Sequence, residues 1–164
     1  MTEEERRAIE QDCARLVIAY HVYVDNYDHE KVLSLFAEHA VVDHAVVGMI
    51  RGKAALAAYF DAKDTSTVAQ HVMTNVLIDV IDDDHARGTA YWTAYISPAA
   101  ALPAPMSGPA ALGSYQDTFI RTPAGWKFHT RRVIGRFAAS DRGSTTLLKG
   151  GAAAVEKVRE KLGG

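Results

Sequence analysis

The sequence lacks the features that mark disulfide-rich, membrane or nucleic-acid-binding proteins. Cys13 is the only cysteine, so neither an intrachain disulfide nor a thiolate metal cluster can form. No apolar run approaches the roughly 18 residues of a membrane span, and the first residues are charged where a secretory signal needs an apolar stretch. The 18 Lys and Arg and 20 Asp and Glu residues are scattered, unlike the basic patch of a nucleic-acid binder. We expect a cytoplasmic protein that binds neither membranes nor nucleic acid.

What remains is the composition of one globular domain. Of the 164 residues, 48% are hydrophobic and 23% are charged, a balance typical of folded rather than disordered chains. The length suits a single domain with a real core. Cys13 falls on the apolar face of the first predicted helix, which indicates a packing role.

Periodicity predicts helices followed by a run of strands. Thr2 and Glu5 have the spacing of a capping box, and Asp28 is placed to cap a second helix. We predict a first helix of about 22 residues, helices over 29–36 and 53–60, and strands over 40–47, 70–81, 86–96, 112–121 and 126–137. This order favours an α+β fold, in which three N-terminal helices pack on one face of a curved, largely antiparallel sheet.

Two segments lie outside this pattern. The stretch 97–108 is rich in Pro, Ala and Gly, and we interpret it as a loop that covers a ligand site. Residues 139–164 are interpreted as a C-terminal extension, with a short amphipathic helix over 152–162. The domain itself is predicted to span residues 1–138.

Several short motifs, in order, identify a family resemblance. They are Tyr20…Asp25…Asp28, Leu35-Phe36-Ala37-Glu38, Arg51-Gly52-Lys53, His71…Asn75, Gly113-Ser114-Tyr115 and Gly125-Trp126-Lys127-Phe128…Arg131. Together they resemble the SnoaL-like family of the nuclear transport factor two-like superfamily, which includes scytalone dehydratase, ketosteroid isomerase and a dehydrochlorinase. The resemblance covers about residues 5–137. It implies a cone-shaped sheet around one pocket, and a homodimer.

The resemblance also implies a catalytic pair. Relatives of the dehydratase and the dehydrochlorinase use an Asp on the first helix and a His at the start of a strand. Asp25 and His71 fall at these positions. A carboxylate that bonds one ring nitrogen fixes the tautomer of a histidine, and so makes it a general base. This chemistry suits a lyase or isomerase of the dehydratase, dehydrohalogenase or cyclase type, which removes a proton from carbon in a small, apolar, oxygenated molecule.

Further side chains are candidates for substrate binding. Strand alternation predicts that Asn75 shares a face with His71, and that His129 shares a face with Arg131. Asn75 would then orient a substrate oxygen, and Arg131 would hold an anionic group, bridge to Asp25 or form a structural ion pair. His44 is a candidate second base. The full candidate set is Tyr20, His44, Asn75, Tyr91, Tyr115, His129 and Arg131, whose tyrosines offer aromatic surface and hydroxyls that could polarise a carbonyl.

The sequence leaves other interpretations open. The seven histidines lack the close helical spacing of zinc enzymes, and no glycine-rich phosphate loop is present, so we predict neither metal nor cofactor. Asp25 could instead close the first helix, with His71 a core histidine. The domain could then be a non-catalytic ligand-binding module or resemble a dioxygenase small subunit. Epoxide hydrolysis by carboxylates and an arginine is a third possibility.

Overall fold

A computed structural model describes residues 1–98, 101–139 and 157–160 of the chain. Residues 1–98 and 101–139 form three helices and six strands. They are α1 (Glu3–Asp25), α2 (His29–Ser34), β1 (Phe36–His44), β2 (Gly48–Arg51), α3 (Gly52–Asp61), β3 (Val68–Val80), β4 (His85–Ser97), β5 (Ala111–Thr122) and β6 (Gly125–Ala138).

Both predicted helix starts are confirmed. The Thr2 N–H donates to Glu5 Oε2 at 2.6 Å and the Glu5 N–H donates to Thr2 Oγ1 at 3.2 Å, so the capping box satisfies two free donors at the start of α1. Asp28 caps α2, since its Oδ1 accepts from the Lys31 N–H. Cys13 is fully buried on the inner face of α1, as its place in the apolar pattern predicts.

The predicted strand over 40–47 is wrong in its bounds, because two strands occupy this region. β1 begins earlier, at Phe36, and ends at His44, where a tight turn leads into β2. The two strands pair antiparallel from Val41 opposite Arg51 to His44 opposite Gly48. Gly48 has a φ of +83°, a value that glycine adopts without a Cβ clash.

The six strands form one open sheet in the order β2-β1-β6-β5-β4-β3. Only the β1–β6 pair is parallel, and the other neighbours are antiparallel. The core lies between the helices and the inner face of this curved sheet. Its most completely buried side chains include Cys13, Val17, Val32, Phe36, Ile50, Leu56, Phe60, Phe119 and Phe128. The predicted cone-shaped α+β fold is therefore confirmed.

Two of the bulges in the sheet affect the faces predicted for candidate site residues. In β3, Asn75 and Val76 together lie opposite a single residue of β4, and Asn75 has a φ of +52°. In β6, His129 is the extra residue between Phe128 and Thr130. An extra residue in one strand reverses the face to which the following side chains point.

The described part of the C-terminal extension packs on its own chain. Residues 157–160 are helical, Val158 is buried in the main core, and Arg159 Nε donates to the Val46 carbonyl at 3.0 Å. The rest of the helix predicted over 152–162 lies outside the described residues, and the division at residue 138 stays a prediction. No helix in the described ranges is both long and apolar enough to cross a membrane.

Candidate active site

Asp25 and His71 are in direct contact beside the cavity of the fold. Asp25 is the last residue of α1, and His71 lies near the start of β3. Asp25 Oδ1 lies 2.6 Å from His71 Nδ1, and Asp25 Oδ2 accepts from the backbone N–H of His71 at 2.7 Å. The side chains are only 14% and 10% exposed, respectively. The carboxylate therefore holds both the ring and the backbone of His71.

This contact fixes the tautomer of His71. An ionised carboxylate accepts hydrogen bonds and cannot donate them, so His71 Nδ1 carries the proton of this bond. In the neutral ring, Nε2 then keeps a free lone pair. No described residue forms a hydrogen bond with Nε2, so this nitrogen is available to a ligand in the adjoining cavity.

His21 is a third member of the cluster. Its ring stacks on His71 with centroids 4.1 Å apart, and its Nε2 shares a 2.8 Å hydrogen bond with the Tyr115 hydroxyl. Burial, and then the positive charge that His71 can carry, lower the pKa of His21 well below its ordinary value. A neutral ring thus lies against His71. Sequence reasoning missed His21, although it precedes Asp25 by four residues and so shares its helical face.

The His71 ring lies between two adjoining chambers. The inner chamber has a volume of about 70 Å³, and its polar lining includes Tyr20, His21, His44, Tyr59, Lys63 and Asp64. The outer chamber, of about 320 Å³, is mainly apolar and is lined by Trp92, Ala94, Ile96, Ala110, Ala111 and Phe137, among others. His44, His71, Tyr115 and Val133 line both. The predicted cavity of the cone is therefore present, and most of its polar side chains line the inner chamber.

Three predicted substrate-binding residues line this cavity. Tyr20 and Tyr115 are 9% and 5% exposed, and burial raises the pKa of each phenol. His44 Nδ1 accepts from the Val46 backbone N–H at 3.2 Å. Burial, followed by the positive charge of Lys63, lowers the pKa of His44 to about 3. A neutral His44 is thus hydrogen-bonded through both ring nitrogens, and its predicted role as a second base gains no support from this geometry.

The structure contradicts the predicted positions of Asn75 and His129. Both side chains are exposed and line neither chamber. The prediction assumed that side chains alternate strictly along each strand, from His71 to Asn75 in β3 and from His129 to Arg131 in β6. However, β3 has a bulge at Asn75 and Val76, and β6 has a bulge at His129. The inferred faces are therefore wrong.

Tyr91 also lies outside the cavity. It is 48% exposed, because the inward face of β4 belongs to the alternate residues Ala90, Trp92 and Ala94. Its predicted role in polarising a substrate carbonyl is not supported by this position.

Arg131 faces inward, but its guanidinium is held by another residue. Nε and Nη2 each lie 2.8 Å from a carboxylate oxygen of Asp117, and the two side chains are 0% and 1% exposed. The guanidinium also lies 4.1 to 4.3 Å from the ring centroids of Tyr20, Tyr115 and Phe128. Of the three roles predicted for Arg131, the structure shows the structural ion pair, and the residue lines neither chamber.

Two further polar residues of the cavity, besides His21, were also missed by the sequence analysis. Tyr59 of α3 bonds His44 Nε2 through its hydroxyl at 3.0 Å, and Lys63 Nζ lies 4.6 Å from the centroid of the Tyr59 ring. Tyr59 and Lys63 are four positions apart, a spacing that places side chains on one side of a helix. That spacing was the available signal, but Lys63 follows the end of α3 and reads as an ordinary surface lysine.

The cluster also contains ligand types that metals use. His21, Asp25 and His71 offer candidate ligand atoms within 4.8 Å of one another. Both oxygens of Asp25 already accept hydrogen bonds from His71, which accounts for the carboxylate without an ion. The absence of a metal stays a prediction.

The open curved sheet, the helix across its inner face and the cavity between them define the nuclear transport factor two-like class of folds. Within that class the SnoaL-like domain family matches residues 4–132, and the chain belongs to this family. A search of the curated proteins gave no match.

Solved structures of similar shape carry different names. A variant of Rv3472, a protein of unknown function from Mycobacterium tuberculosis, has 22% identity and a TM-score of 0.74, covering 99% of this chain and 95% of that chain. A provisionally named scytalone dehydratase from Novosphingobium aromaticivorans has 17% identity and a TM-score of 0.70, covering 92% and 99%. The β subunit of a provisionally named aromatic-ring-hydroxylating dioxygenase from the same species has 15% identity and a TM-score of 0.68, covering 81% and 92%. At these identities the likeness shows the fold alone.

Proposed function

We propose that this protein is a lyase or isomerase that removes a proton from a carbon atom beside a carbonyl or a leaving group, with His71 as the base. One observation carries the proposal. Asp25 binds Nδ1 of His71 at 2.6 Å, which leaves Nε2 as the basic nitrogen on a ring that borders both chambers.

The proposed reaction needs no catalytic group other than Asp25 and His71. His71 Nε2 takes the proton, the C–H bond breaks, and its electron pair forms a carbon–carbon double bond. In an elimination the adjacent bond to the leaving group breaks at the same time, so that halide leaves with its electron pair, or hydroxide leaves as water with the proton returned by His71. In an isomerisation the π electron pair of the neighbouring carbonyl moves to oxygen, and the imidazolium then returns the proton to a different carbon. Asp25 stabilises the imidazolium that forms, as the acid of a Ser-His-Asp triad does. A positioned base of this kind accelerates proton transfer by about 10²- to 10⁴-fold.

The cavity indicates the substrate class. The outer chamber, at about 320 Å³, falls at the lower end of the ~300 to 1,000 Å³ that small-molecule sites occupy. Its lining by Trp92, Ile96 and alanines suits a compact apolar body. A substrate with one oxygenated end would place that end toward the inner chamber, which most of the cavity's polar side chains line.

A non-catalytic role in a larger assembly is the second candidate. It is favoured by the similarity in fold to the dioxygenase β subunit. Stable copurification of a larger subunit, together with an inactive dyad, would support it. Epoxide hydrolysis has less support, because Arg131 is bonded to Asp117 and is not available to activate water or the epoxide.

Proton abstraction can be tested without knowing the product. The protein is incubated in D₂O with a panel of small ketones, aldehydes and esters, and loss of the α-proton signal is followed by NMR. We expect His71→Ala to abolish any exchange above the buffer rate.

The chain offers a matched control for this substitution. His85 also contacts a carboxylate, that of Asp82 at 2.9 Å, but both side chains are more than half exposed. His85→Ala should leave the exchange unchanged. Equal exchange by wild type and His71→Ala would show that His71 is not the base.

We also propose that the protein is a cytoplasmic homodimer. The family resemblance supports the dimer, because open sheet faces commonly pair in this superfamily. Analytical ultracentrifugation tests it, and a sedimentation mass of one 17.8 kDa chain at micromolar concentration would contradict it.

A further inference from the structure

Two of the polar side chains that line the inner chamber, Tyr59 and Lys63, take no part in the Asp25–His71 dyad. Tyr59 lies on α3 and Lys63 follows that helix, and both line the chamber. At about 70 Å³ the chamber has room for roughly two water molecules. A carbonyl, carboxylate or phenolate oxygen fits such a space, whereas the apolar body of a ligand needs the outer chamber.

His44 determines where the hydroxyl proton of Tyr59 points. His44 Nδ1 accepts from the backbone N–H of Val46 at 3.2 Å, and the Val47 N–H lies 3.4 Å away. A nitrogen that accepts carries no proton, so in the neutral ring the proton is on Nε2. Nε2 then donates to the Tyr59 hydroxyl oxygen across 3.0 Å. The hydroxyl proton is left free, and no described residue accepts it.

Lys63 brings a positive charge to the same place. Its Nζ lies over the Tyr59 ring, 4.6 Å from the centroid, and no described carboxylate lies within 4 Å of Nζ. Asp64 also lines the chamber, but its Oδ1 accepts from the N–H and the hydroxyl of Ser66. Both oxygens of Asp25 are occupied by His71. The chamber therefore presents a hydroxyl donor and an ammonium that has no ion-pair partner among the described residues.

We propose that the Tyr59 hydroxyl and the Lys63 ammonium form a subsite for an anionic oxygen, and that the substrate is a carbonyl compound with a proton on the adjacent carbon. This inference rests on the proposed function. When His71 takes the proton, the C–H electron pair forms the C=C bond of an enolate, and the C=O electron pair moves to oxygen. Tyr59 donates a hydrogen bond to this oxygen, and Lys63 balances its charge. Such donors act where charge develops in the transition state.

A phenolate imitates an enolate and reports its own ionisation. We would use 4-nitrophenol as the probe and measure its dissociation constant and the phenolate absorbance at mildly acidic pH. Wild type should bind the phenolate form, so the phenolate band should grow as protein is added. A hydrogen bond to a charged group contributes about 1.5 to 3 kcal/mol, so Tyr59→Phe and Lys63→Met should each weaken binding by roughly 10- to 100-fold.

Matched variants separate charge from packing. Lys63→Arg keeps the charge and should bind more tightly than Lys63→Met, while circular dichroism confirms folding. Tyr91→Phe and Lys31→Met change exposed residues outside the chamber and should leave the dissociation constant unchanged.

His71→Ala separates this subsite from the base. It should still bind the phenolate while losing α-proton exchange, and normal exchange in this variant would refute the base without affecting the subsite. Failure of wild type to bind the phenolate would overturn the subsite. Equal affinities of wild type, Tyr59→Phe and Lys63→Met would also overturn it.

Discussion

Replacing Arg131 by Met distinguishes a structural arginine from one that binds substrate. The guanidinium makes two 2.8 Å contacts with Asp117 in a site where neither side chain is more than 1% exposed. Methionine preserves much of the side-chain volume but removes the charge. Asp117 is then left as a buried carboxylate without its partner, a state that proteins tolerate poorly.

The magnitude follows from this burial. Removing one partner of a buried ion pair destabilises a protein by about 3 to 5 kcal/mol, out of a total stability of roughly 5 to 15 kcal/mol. The contacts between the guanidinium and the Tyr20, Tyr115 and Phe128 rings, at 4.1 to 4.3 Å, are lost as well. Replacing Asp117 by Leu in the same variant removes the unpaired carboxylate and should restore part of the stability.

The neighbouring arginine provides the control. Arg132 pairs with Asp43 at 3.4 Å, with side chains 63% and 46% exposed, and such surface pairs contribute about 0 to 1 kcal/mol. Urea denaturation followed by circular dichroism gives the free energy of unfolding for Arg131→Met and Arg132→Met. Losses that agree within 1 kcal/mol would refute the structural role of Arg131.

Three further predictions concern two buried positions, Cys13 and Gly113, and the half-buried Lys63. Burial raises the pKa of the Cys13 thiol to about 12, so iodoacetamide should modify Cys13 only after denaturation. Mass spectrometry measures this modification, and rapid modification of the native protein would contradict the prediction. Burial lowers the pKa of Lys63 from 10.5 to about 8, so the folded protein binds fewer protons than the unfolded chain between these pH values, and stability rises with pH there. At neutral pH the ammonium of Lys63 therefore destabilises the folded state, and Lys63→Met should raise the free energy of unfolding by roughly 1 to 3 kcal/mol. In urea titrations this gain should shrink above pH 8, and a gain that does not change with pH would contradict the prediction. A Cβ on Gly113 would overlap the Ile134 carbonyl and the Trp92 ring. Gly113→Ala should therefore lower the free energy of unfolding by about 1 to 3 kcal/mol. An unchanged denaturation midpoint would contradict the close packing around Gly113.

Most of the fold could be predicted because hydrophobic periodicity and capping residues are local signals. Thr2 and Asp28 marked two helix starts correctly, and the last four strands were found within a few residues of their ends. The β1–β2 turn was missed because 40–47 is rich in valine and has the composition of a single strand. The signal for this turn is weak, because it consists mainly of Gly48, which follows the segment and has a positive φ.

The candidate site was predictable only in part. The family motifs pointed to Asp25 and His71, and the two side chains do meet. Asn75 and His129 were misplaced because a single extra residue in a strand reverses the alternation, and their own sequence context does not reveal the bulge. Lys63 was overlooked because burial of a lysine depends on tertiary packing, which local patterns do not record.

The proposed dyad depends most directly on the charge of Asp25. Asp25→Asn keeps the shape of the side chain but removes the negative charge that orients His71 and stabilises its imidazolium. In a Ser-His-Asp triad the corresponding change lowers turnover by about 10⁴-fold. The decisive measurement is the rate of α-proton exchange into D₂O for wild type and Asp25→Asn, on the same carbonyl compound. We predict a decrease of about 10³- to 10⁴-fold in a variant that remains folded, whereas a rate within tenfold of wild type would contradict the proposed dyad.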